Sequence, residues 1–480
     1  MTNQIPLIPV PKTAELLEGV TSVPCSVYTE KAEWKAAVDV FTGYFANLYS
    51  TEPASVPGGI ELICYESVRS TGYIFDSTDG IKIYASDGEG AQYGLATAMQ
   101  LTRFENGMIS ADKVRIEDWP DKDYRGLMVD LARCWHPTAT VFKYMDICWY
   151  YKIQYIQLHF IDDQLYTLPS KIFPKLSTKG KHYTFEEIEA FRRYAKERGL
   201  VIIPEFEAPG HAKSLNAAYP EVFSDTVDTE GNINSTLNIG ATLTADNIVC
   251  GGSEKAMEGI CALLKEMAEM SPDSPFIHIG GDEANIKVWN YCKTCWAYME
   301  KNGLEDVYEL YSDFVARAAK YVLSLGRTPI VWEGFPRKGH EKIPKETIVI
   351  AWESHYQMSY ELLEEGFKII NCSWKPLYIV PSLSYNWGVK EIMGWNVYNW
   401  QHWWSNSPAR LNPINIAPTD DVLGAQLCSW ECSYEQEINR IMENLGALSE
   451  RTWSTVRICD DAEYFQKQRK INDKLARMIV

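Results

Sequence analysis

The sequence has no apolar run of about 18 residues, the shortest that a membrane-spanning helix uses. Residues 1–12 also lack the basic start and apolar run of a secretory signal. We therefore expect no membrane insertion and a cytoplasmic chain, or a secreted or periplasmic one if a leader has been removed. Low-complexity stretches and internal repeats are absent too, so the whole chain is expected to fold.

Positive charge is scarce: 46 Lys and Arg against 64 Asp and Glu give a formal net charge of −18. This excess of negative charge repels nucleic acids and anionic membrane surfaces, so we expect neither as a partner. Aromatic residues are abundant instead, with 16 Trp and 28 Tyr. Their rings stack on the apolar faces of sugars and of bases, and the negative charge favours sugars.

The 12 cysteines are too dispersed for a disulfide framework. Cys292 and Cys295 have the spacing of zinc ligands, but no second Cys-x-x-Cys pair exists, and the later Cys428 and Cys432 are the candidates to complete such a site. We expect buried thiols, no cofactor and no metal in the active site, and leave open whether Cys292 and Cys295 bind a metal.

Residues 1–120 mix short β-rich runs and turns with one helical segment over 91–101, which predicts a small α+β domain. Over 121–480, short apolar runs alternate with amphipathic segments, as in a parallel sheet wrapped by helices. Helical spacing is clearest over 184–198 and 307–322. We predict a (β/α)₈ TIM barrel, with a doubly wound open sheet as the alternative. The eight predicted strands are 125–131, 155–160, 201–206, 276–280, 329–332, 348–352, 367–372 and 422–430.

Carboxylates and tryptophans follow nearly every predicted strand. Because catalytic groups of such barrels lie at the C-terminal strand ends, we expect these side chains to meet in one pocket suited to a sugar. Asp282 and Glu283 follow an apolar run and two glycines, which allow close backbone approach. Burial and mutual repulsion would raise the pKa of one of the two carboxyl groups, so that an acid and an anion coexist.

Several motifs in the right order resemble glycoside hydrolase family 20. They are the segments 124–133, 159–163, 204–211, 278–283 and 447–453, and the fourth reads His-Ile-Gly-Gly-Asp-Glu. The resemblance covers nearly the whole chain, including the small N-terminal domain. It implies an exo-acting, retaining β-N-acetylhexosaminidase that removes terminal N-acetylglucosamine or N-acetylgalactosamine from glycans or glycoconjugates.

The resemblance also implies substrate-assisted catalysis, in which the acetamido oxygen of the substrate attacks the anomeric carbon and forms an oxazolinium ion. Glu283 would be the general acid and then the general base. Asp282 would orient and stabilise the acetamido group, and Tyr378 would donate to its oxygen.

Further roles are carried over in the same way. Arg125 would clamp O3 and O4 of the sugar, and Asp162 and His211 would support the general acid from beneath. The sugar face and the N-acetyl group would be enclosed by Trp332, Trp352 and Trp430.

Two positions depart from the family pattern. Val380 stands where an Asp or Asn would bind O4 or O6 of the sugar, and Glu431 follows Trp430 one residue early. In an extended segment this shift turns the side chain to the other face. We keep Glu431 as a substrate-binding candidate and expect altered specificity as an alternative, toward N-acetylgalactosamine or an O6-substituted sugar.

Two other functions compete with this one. A catalytically silent sugar-binding barrel would not need the intact pair Asp282 and Glu283. A metal-dependent hydrolase would need an early His-x-His pair, but the sequence offers only Gln157-Leu158-His159. The oligomeric state, a homodimer included, is left open.

Overall fold

The computed structural model describes residues 5–224, 246–381 and 387–479. Its strands, in chain order, are β1 (Thr13–Pro24), β2 (Val27–Tyr28), β3 (Ile60–Cys64), β4 (Tyr73–Asp76), β5 (Ile81–Ala85), β6 (Arg103–Glu105), β7 (Met108–Asp118), β8 (Tyr124–Asp130), β9 (Tyr155–His159), β10 (Val201–Glu205), β11 (Phe276–His278), β12 (Thr328–Trp332), β13 (Ile348–Ala351), β14 (Lys368–Asn371), β15 (Tyr378–Ile379), β16 (Asn399–Trp400), β17 (Ile414–Asn415) and β18 (Val422–Ser429).

The helices in the described ranges are α1 (Lys35–Tyr49), α2 (Gly88–Leu101), α3 (Thr138–Tyr150), α4 (Phe185–Glu197), α5 (Lys213–Ala218), α6 (Pro220–Phe223), α7 (Glu254–Met270), α8 (Lys293–Asn302), α9 (Val307–Ser324), α10 (Ser359–Glu364), α11 (Trp374–Leu377), α12 (Val389–Gly394), α13 (Tyr434–Trp453) and α14 (Asp461–Met478). None of the helices described is both long enough and apolar enough to cross a membrane.

The first seven strands form one mixed sheet in the order β1-β7-β4-β5-β3-β2, with β6 paired to β7. The helix predicted over 91–101 is α2, which begins earlier because the side chain of Asp87 accepts a hydrogen bond from the Gly90 N–H at 2.8 Å. The sheet ends at Asp118. The division of the chain at residue 120 stays a prediction.

The second sheet is a closed parallel barrel. Strands β8 to β14 pair in sequence, β14 pairs with β18, and β18 pairs with β8. Each of the eight predicted runs overlaps one of these strands, so the predicted TIM barrel is confirmed. The open-sheet alternative is wrong because the pairings of β18 on both sides close the ring.

The strands form where the sequence is continuously apolar, because each strand of the barrel is covered on both faces. Outside, the predicted helical face of α9 packs inward from Val307 to Val322, and α4 begins at a capping box of Thr184 and Glu187. Inside, a separate apolar cluster fills the barrel from Tyr124 at its floor to Trp332, Trp352 and Trp430 at its C-terminal end.

Candidate active site

A cavity of about 200 Å³ opens at the C-terminal end of the barrel. It is lined by residues that follow five different barrel strands, together with β15 and α11: Arg133, Asp282, Glu283, Trp332, Trp352, Trp374, Tyr378, Val380, Trp430 and Glu431. The structure therefore brings together the acidic pair, the tyrosine and the three tryptophans that the sequence analysis singled out.

A glycine turn carries the acidic pair into the cavity. After β11, Gly280 and Gly281 have φ of +72° and +96°, which favours glycine. A Cβ on Gly280 would lie 2.0 Å from Glu207 Oε1, and one on Gly281 would lie 2.6 Å from Val331 Cγ2. A side chain at either glycine would collide with its neighbours and prevent this bend. The bend sets the position of Asp282.

The two adjacent carboxylates have unequal surroundings. Asp282 is buried, and burial raises its pKa to about 6. Its Oδ1 has no hydrogen-bond partner among the described residues, which is costly for a buried oxygen. Glu283 has φ of +45° and a half-exposed side chain, and a hydrogen bond from His211 holds the pKa of this carboxyl group below its usual range.

His211 lies beneath both carboxylates. Its Nε2 is 3.3 Å from Glu283 Oε2 and 3.8 Å from Asp282 Oδ2, and its Nδ1 is 3.3 Å from Asp162 Oδ1. Burial opposes protonation, but the charge of Asp162 keeps the pKa of His211 well above its ordinary value. The structure thus brings Asp162, His211 and Glu283 together, and their roles stay predictions.

A second layer of charges holds Asp162. His159 Nε2 lies 2.9 Å from Asp162 Oδ2, and His159 Nδ1 lies 3.0 Å from Glu205 Oε2. Despite burial, the charge of Glu205 raises the pKa of His159 to about 10.

Aromatic rings form the wall opposite the carboxylates. Trp332 packs edge-on against Trp352 at 6.2 Å, and Trp352 is stacked on Tyr378 with ring centroids 5.8 Å apart. Trp374, which the sequence analysis missed, stacks on Tyr378 at 4.3 Å and lies 6.5 Å from Trp352. Its position just after β14, at a C-terminal strand end, is the signal that could have identified it.

Arg125 is not in this site, and its expected role as a sugar clamp is wrong. It is the second residue of β8, at the N-terminal end of the barrel, fully buried, with Nε donating to the Lys152 carbonyl oxygen at 3.0 Å. Arg133, past the C-terminal end of β8, lines the cavity instead. Its Nη2 is 2.8 Å from Asp162 Oδ2, and its guanidinium lies 4.8 Å from the Trp430 ring centroid.

Glu431 also differs from expectation. The strand β18 ends at Ser429, and Glu431 has φ of +56°, so the alternation of an extended chain no longer applies. Its side chain is exposed and lines the cavity together with Val380. The prediction that the one-residue shift turns Glu431 away is therefore wrong.

Two more carboxylates lie at strand ends beside the cavity. Glu333 after β12 accepts hydrogen bonds from the backbone N–H groups of Ser354 at 2.9 Å and His355 at 3.0 Å, so it holds the loop after β13. Glu353 is buried, and burial raises its pKa to about 9. Neither residue lines the cavity, and Glu333 organises its wall.

Comparison with known proteins places this site in a family context. Residues 123–456 match the family described as "Glycosyl hydrolase family 20, catalytic domain". The chain is 31% identical to the beta subunit of beta-hexosaminidase from Entamoeba histolytica, over 81% of this chain and 70% of that protein. It is 28% identical to the beta-hexosaminidase of Vibrio furnissii, over 76% of this chain and 62% of that protein.

Solved structures share the fold. A GH20 exo beta-N-acetylglucosaminidase from Vibrio harveyi superposes with a TM-score of 0.85 at 22% identity, covering 98% of this chain and 77% of that one. A beta-N-acetylhexosaminidase from Bacteroides fragilis gives 0.77 at 22% identity, covering 97% and 94%.

Proposed function

The chain belongs to glycosyl hydrolase family 20 and is a glycoside hydrolase, and from this premise we propose that it is an exo-acting, retaining β-N-acetylhexosaminidase. Its substrate would be a glycan or glycoconjugate with a terminal β-linked N-acetylglucosamine or N-acetylgalactosamine. The observation that carries the proposal is Asp282 Oδ1, a buried carboxylate oxygen without a partner among the described residues, set in the wall of an aromatic cavity about the size of one sugar.

The unpartnered oxygen fits the acetamido group. Asp282 Oδ1 would accept the N–H of that group, which aligns its carbonyl oxygen with the anomeric carbon. The acetamido oxygen then forms a bond to that carbon as the glycosidic bond breaks. The positive charge that develops on the oxazolinium ring would be stabilised by ionised Asp282 in a site with little water. The stacked rings of Trp352 and Tyr378 would bound the group on one side.

Glu283 would protonate the leaving oxygen and then accept a proton from the water that opens the oxazolinium ring. Two successive inversions at the anomeric carbon give retention. In the free enzyme His211 keeps Glu283 ionised. A bound sugar and its leaving group would cover this half-exposed carboxylate, and loss of water raises the pKa of a carboxyl group, which equips it to act as an acid.

The test is Glu283→Gln, with the exposed Glu258→Gln on α7 as control. With aryl N-acetyl-β-glucosaminides whose leaving groups need protonation, we expect kcat to fall by about 10²- to 10⁴-fold in Glu283→Gln and to stay unchanged in the control. With an acidic leaving group the loss should be much smaller. A wild-type chain that hydrolyses none of these substrates would instead support a silent sugar-binding barrel.

Altered specificity is a second candidate because Val380 and Glu431 both line the cavity. An apolar side chain at 380 cannot accept a hydrogen bond from a sugar hydroxyl, whereas Glu431 can. We propose that these two residues relax the specificity of the enzyme at O4 or O6 of the sugar. Comparing kcat/KM for gluco, galacto and 6-sulfated aryl glycosides tests this, and an ordinary preference for the gluco sugar would contradict it.

A further inference from the structure

Three buried cysteines meet beside the active-site loops. Cys250 Sγ lies 3.6 Å from Cys292 Sγ and 3.7 Å from Cys295 Sγ, and all three sulfurs lie within 4.8 Å of one another. Cys428 and Cys432, the partners that the sequence analysis considered, are not part of the group. They lie at the end of β18, on the opposite side of the barrel from β11, which precedes Cys292.

The spacing of the sulfurs matches a tetrahedral metal site. With a zinc–sulfur distance of about 2.3 Å, two ligands of a tetrahedron are about 3.8 Å apart. A disulfide requires about 2.05 Å between its sulfurs, and it would leave one of the three thiols unpaired. A single thiolate-binding cation uses all three cysteines without moving them far.

The backbone is built to bring these cysteines together. A Cβ on Gly252 would lie 2.6 Å from Cys295 Cα, and one on Gly251 would lie 2.7 Å from the Trp289 ring, so the segment after Cys250 approaches α8 more closely than side chains allow. Cys292 caps α8, and its sulfur accepts a hydrogen bond from the Cys295 N–H at 3.4 Å. Such N–H donation stabilises a thiolate.

Arg317 on α9 holds the segment that carries Cys250. Its guanidinium donates to the Gly251 carbonyl oxygen at 2.7 Å, one residue from Cys250, and its Nε forms an ion pair with Asp313 Oδ2 at 2.9 Å. The residues described contribute no fourth Cys, His, Asp or Glu to this group.

We propose that Cys250, Cys292 and Cys295 bind one zinc ion, with the fourth position taken by a ligand from solution. Soft thiolate ligands select zinc over magnesium, calcium or manganese. The ion would join the segment before α7 to the N-terminus of α8, nine residues after Glu283, and so stabilise the loop that carries the general acid. Its role is structural, and it takes no part in the reaction.

The test measures metal and not only activity. The 480-residue chain, purified under reducing conditions and supplied with zinc, should contain one zinc ion per chain when measured by elemental mass spectrometry. Cys292→Ser and Cys295→Ser should each lose it, whereas Cys261→Ser, a partly buried thiol on α7 outside the cluster, should keep it. A zinc chelator should lower the Tm of the wild type, whereas the Tm of Cys292→Ser should not change when the chelator is added.

If the serine variants fail to fold, measurements on the wild type still test the zinc proposal. Replacing zinc by Co²⁺ should produce thiolate-to-cobalt charge-transfer absorption in the near ultraviolet. No zinc uptake by the reduced wild type, or equal zinc in the wild type and both serine variants, would overturn the proposal. So would a native mass lower by two hydrogens, with alkylation showing a Cys250–Cys292 disulfide. None of these outcomes depends on glycosidase activity.

Discussion

Asp282 and Glu283 are sequence neighbours with different electrostatic surroundings. Asp282 is enclosed, so loss of water raises its pKa to about 6. Glu283 turns outward through a left-handed backbone conformation and meets His211 at 3.3 Å. Left-handed φ at a non-glycine residue costs on the order of 1 kcal/mol or more, and such strain clusters at functional sites. Both carboxylates still meet at His211 Nε2, which is 3.8 Å from Asp282 Oδ2 and 3.3 Å from Glu283 Oε2, but only the Glu283 side chain is half exposed.

This difference predicts the acid side of the pH profile. Asp282 is needed ionised, and its raised pKa means that it becomes protonated as the pH falls through about 6. Because Glu283 titrates in the wild type and in Asp282→Asn alike, we expect the ratio of their kcat/KM values, wild type over variant, to decline below pH about 6 with a slope of one. Above that pH the variant should be slower by about 10²- to 10³-fold.

The exposed Asp420→Asn is the matched control and should keep the wild-type profile. A ratio of wild-type to Asp282→Asn kcat/KM that stays constant across this pH range would contradict the role of Asp282.

The positions of Arg133 and Arg125 show that strand direction decides which arginine side chain lines the cavity. Arg125 is the second residue of β8, and Arg133 lies three residues past the end of the same strand. Since catalytic groups collect at the C-terminal ends, Arg133 is the residue that the barrel rule itself selects. It contacts Asp162 at 2.8 Å and lies on the Trp430 ring, and we propose it as a donor to sugar hydroxyls.

At the scale of elements, the turn after β11 decides the geometry of the acidic pair. The Gly281 N–H donates to Glu207 Oε1 at 3.0 Å, and the Tyr311 hydroxyl of α9 donates to the Gly281 carbonyl oxygen at 2.6 Å. Both backbone groups of this glycine are therefore held by neighbouring elements, and the position of Asp282 follows from that.

We predict that Gly281→Ala lowers kcat strongly. A Cβ there would lie 2.6 Å from Val331 Cγ2, so the turn must shift, and a misplacement of about 1 Å can cost about 10²-fold in rate. Gly326→Ala is the control: it has a similar φ of +71° with nothing within 4 Å of the added Cβ. It should lose about 1 kcal/mol of stability with kcat unchanged. Equal kcat in both variants would contradict the prediction.

At the scale of the whole molecule, a buried polar group joins the first sheet to the barrel. Asp118 at the end of β7 accepts hydrogen bonds from the Tyr73 hydroxyl at 2.7 Å and the Trp453 indole N–H at 2.8 Å. Lys152 Nζ, also fully buried, donates to the Tyr73 hydroxyl at 2.9 Å. Burial lowers the pKa of Lys152 to about 8 although the charge of Asp118 opposes this shift. Asp118 and Tyr73 lie in the first sheet, whereas Lys152 follows α3 and Trp453 ends α13, so the first sheet and the helices around the barrel stabilise each other.

Removing the anion should destabilise the entire chain. Asp118→Ala leaves Lys152 and three hydrogen-bond donors, the Lys12 N–H included, without their partner, which costs about 3 to 5 kcal/mol in the free energy of unfolding. Asp112→Ala breaks the ion pair between Asp112 and Arg103, in which the Asp112 side chain is 55% exposed and the Arg103 side chain 45% exposed. This change should cost less than about 1 kcal/mol in the free energy of unfolding. Denaturant unfolding of both variants compares the two losses, and similar values would contradict the prediction.

Much of this protein follows from local sequence. The eight apolar runs predict the barrel because each strand is covered on both faces, and 307–322 predicts α9 because one helical face is buried. The motif ending in Asp282 and Glu283 predicts the proposed catalytic pair, since both residues and the glycines that position them are contiguous. The pair Asp162 and His211 came from the family resemblance, and its contact with Glu283 is visible only in the fold.

Tertiary structure alone decided the rest. Arg133 in place of Arg125, Trp374 beside Tyr378, and Glu431 turned into the cavity by its left-handed backbone all depend on where strands end and how loops bend. The meeting of Cys250 with Cys292 and Cys295 depends on glycine contacts between segments about forty residues apart in the chain. Hydrophobic periodicity indicates which residues are buried, but it does not indicate which residues distant in the sequence contact one another in the interior.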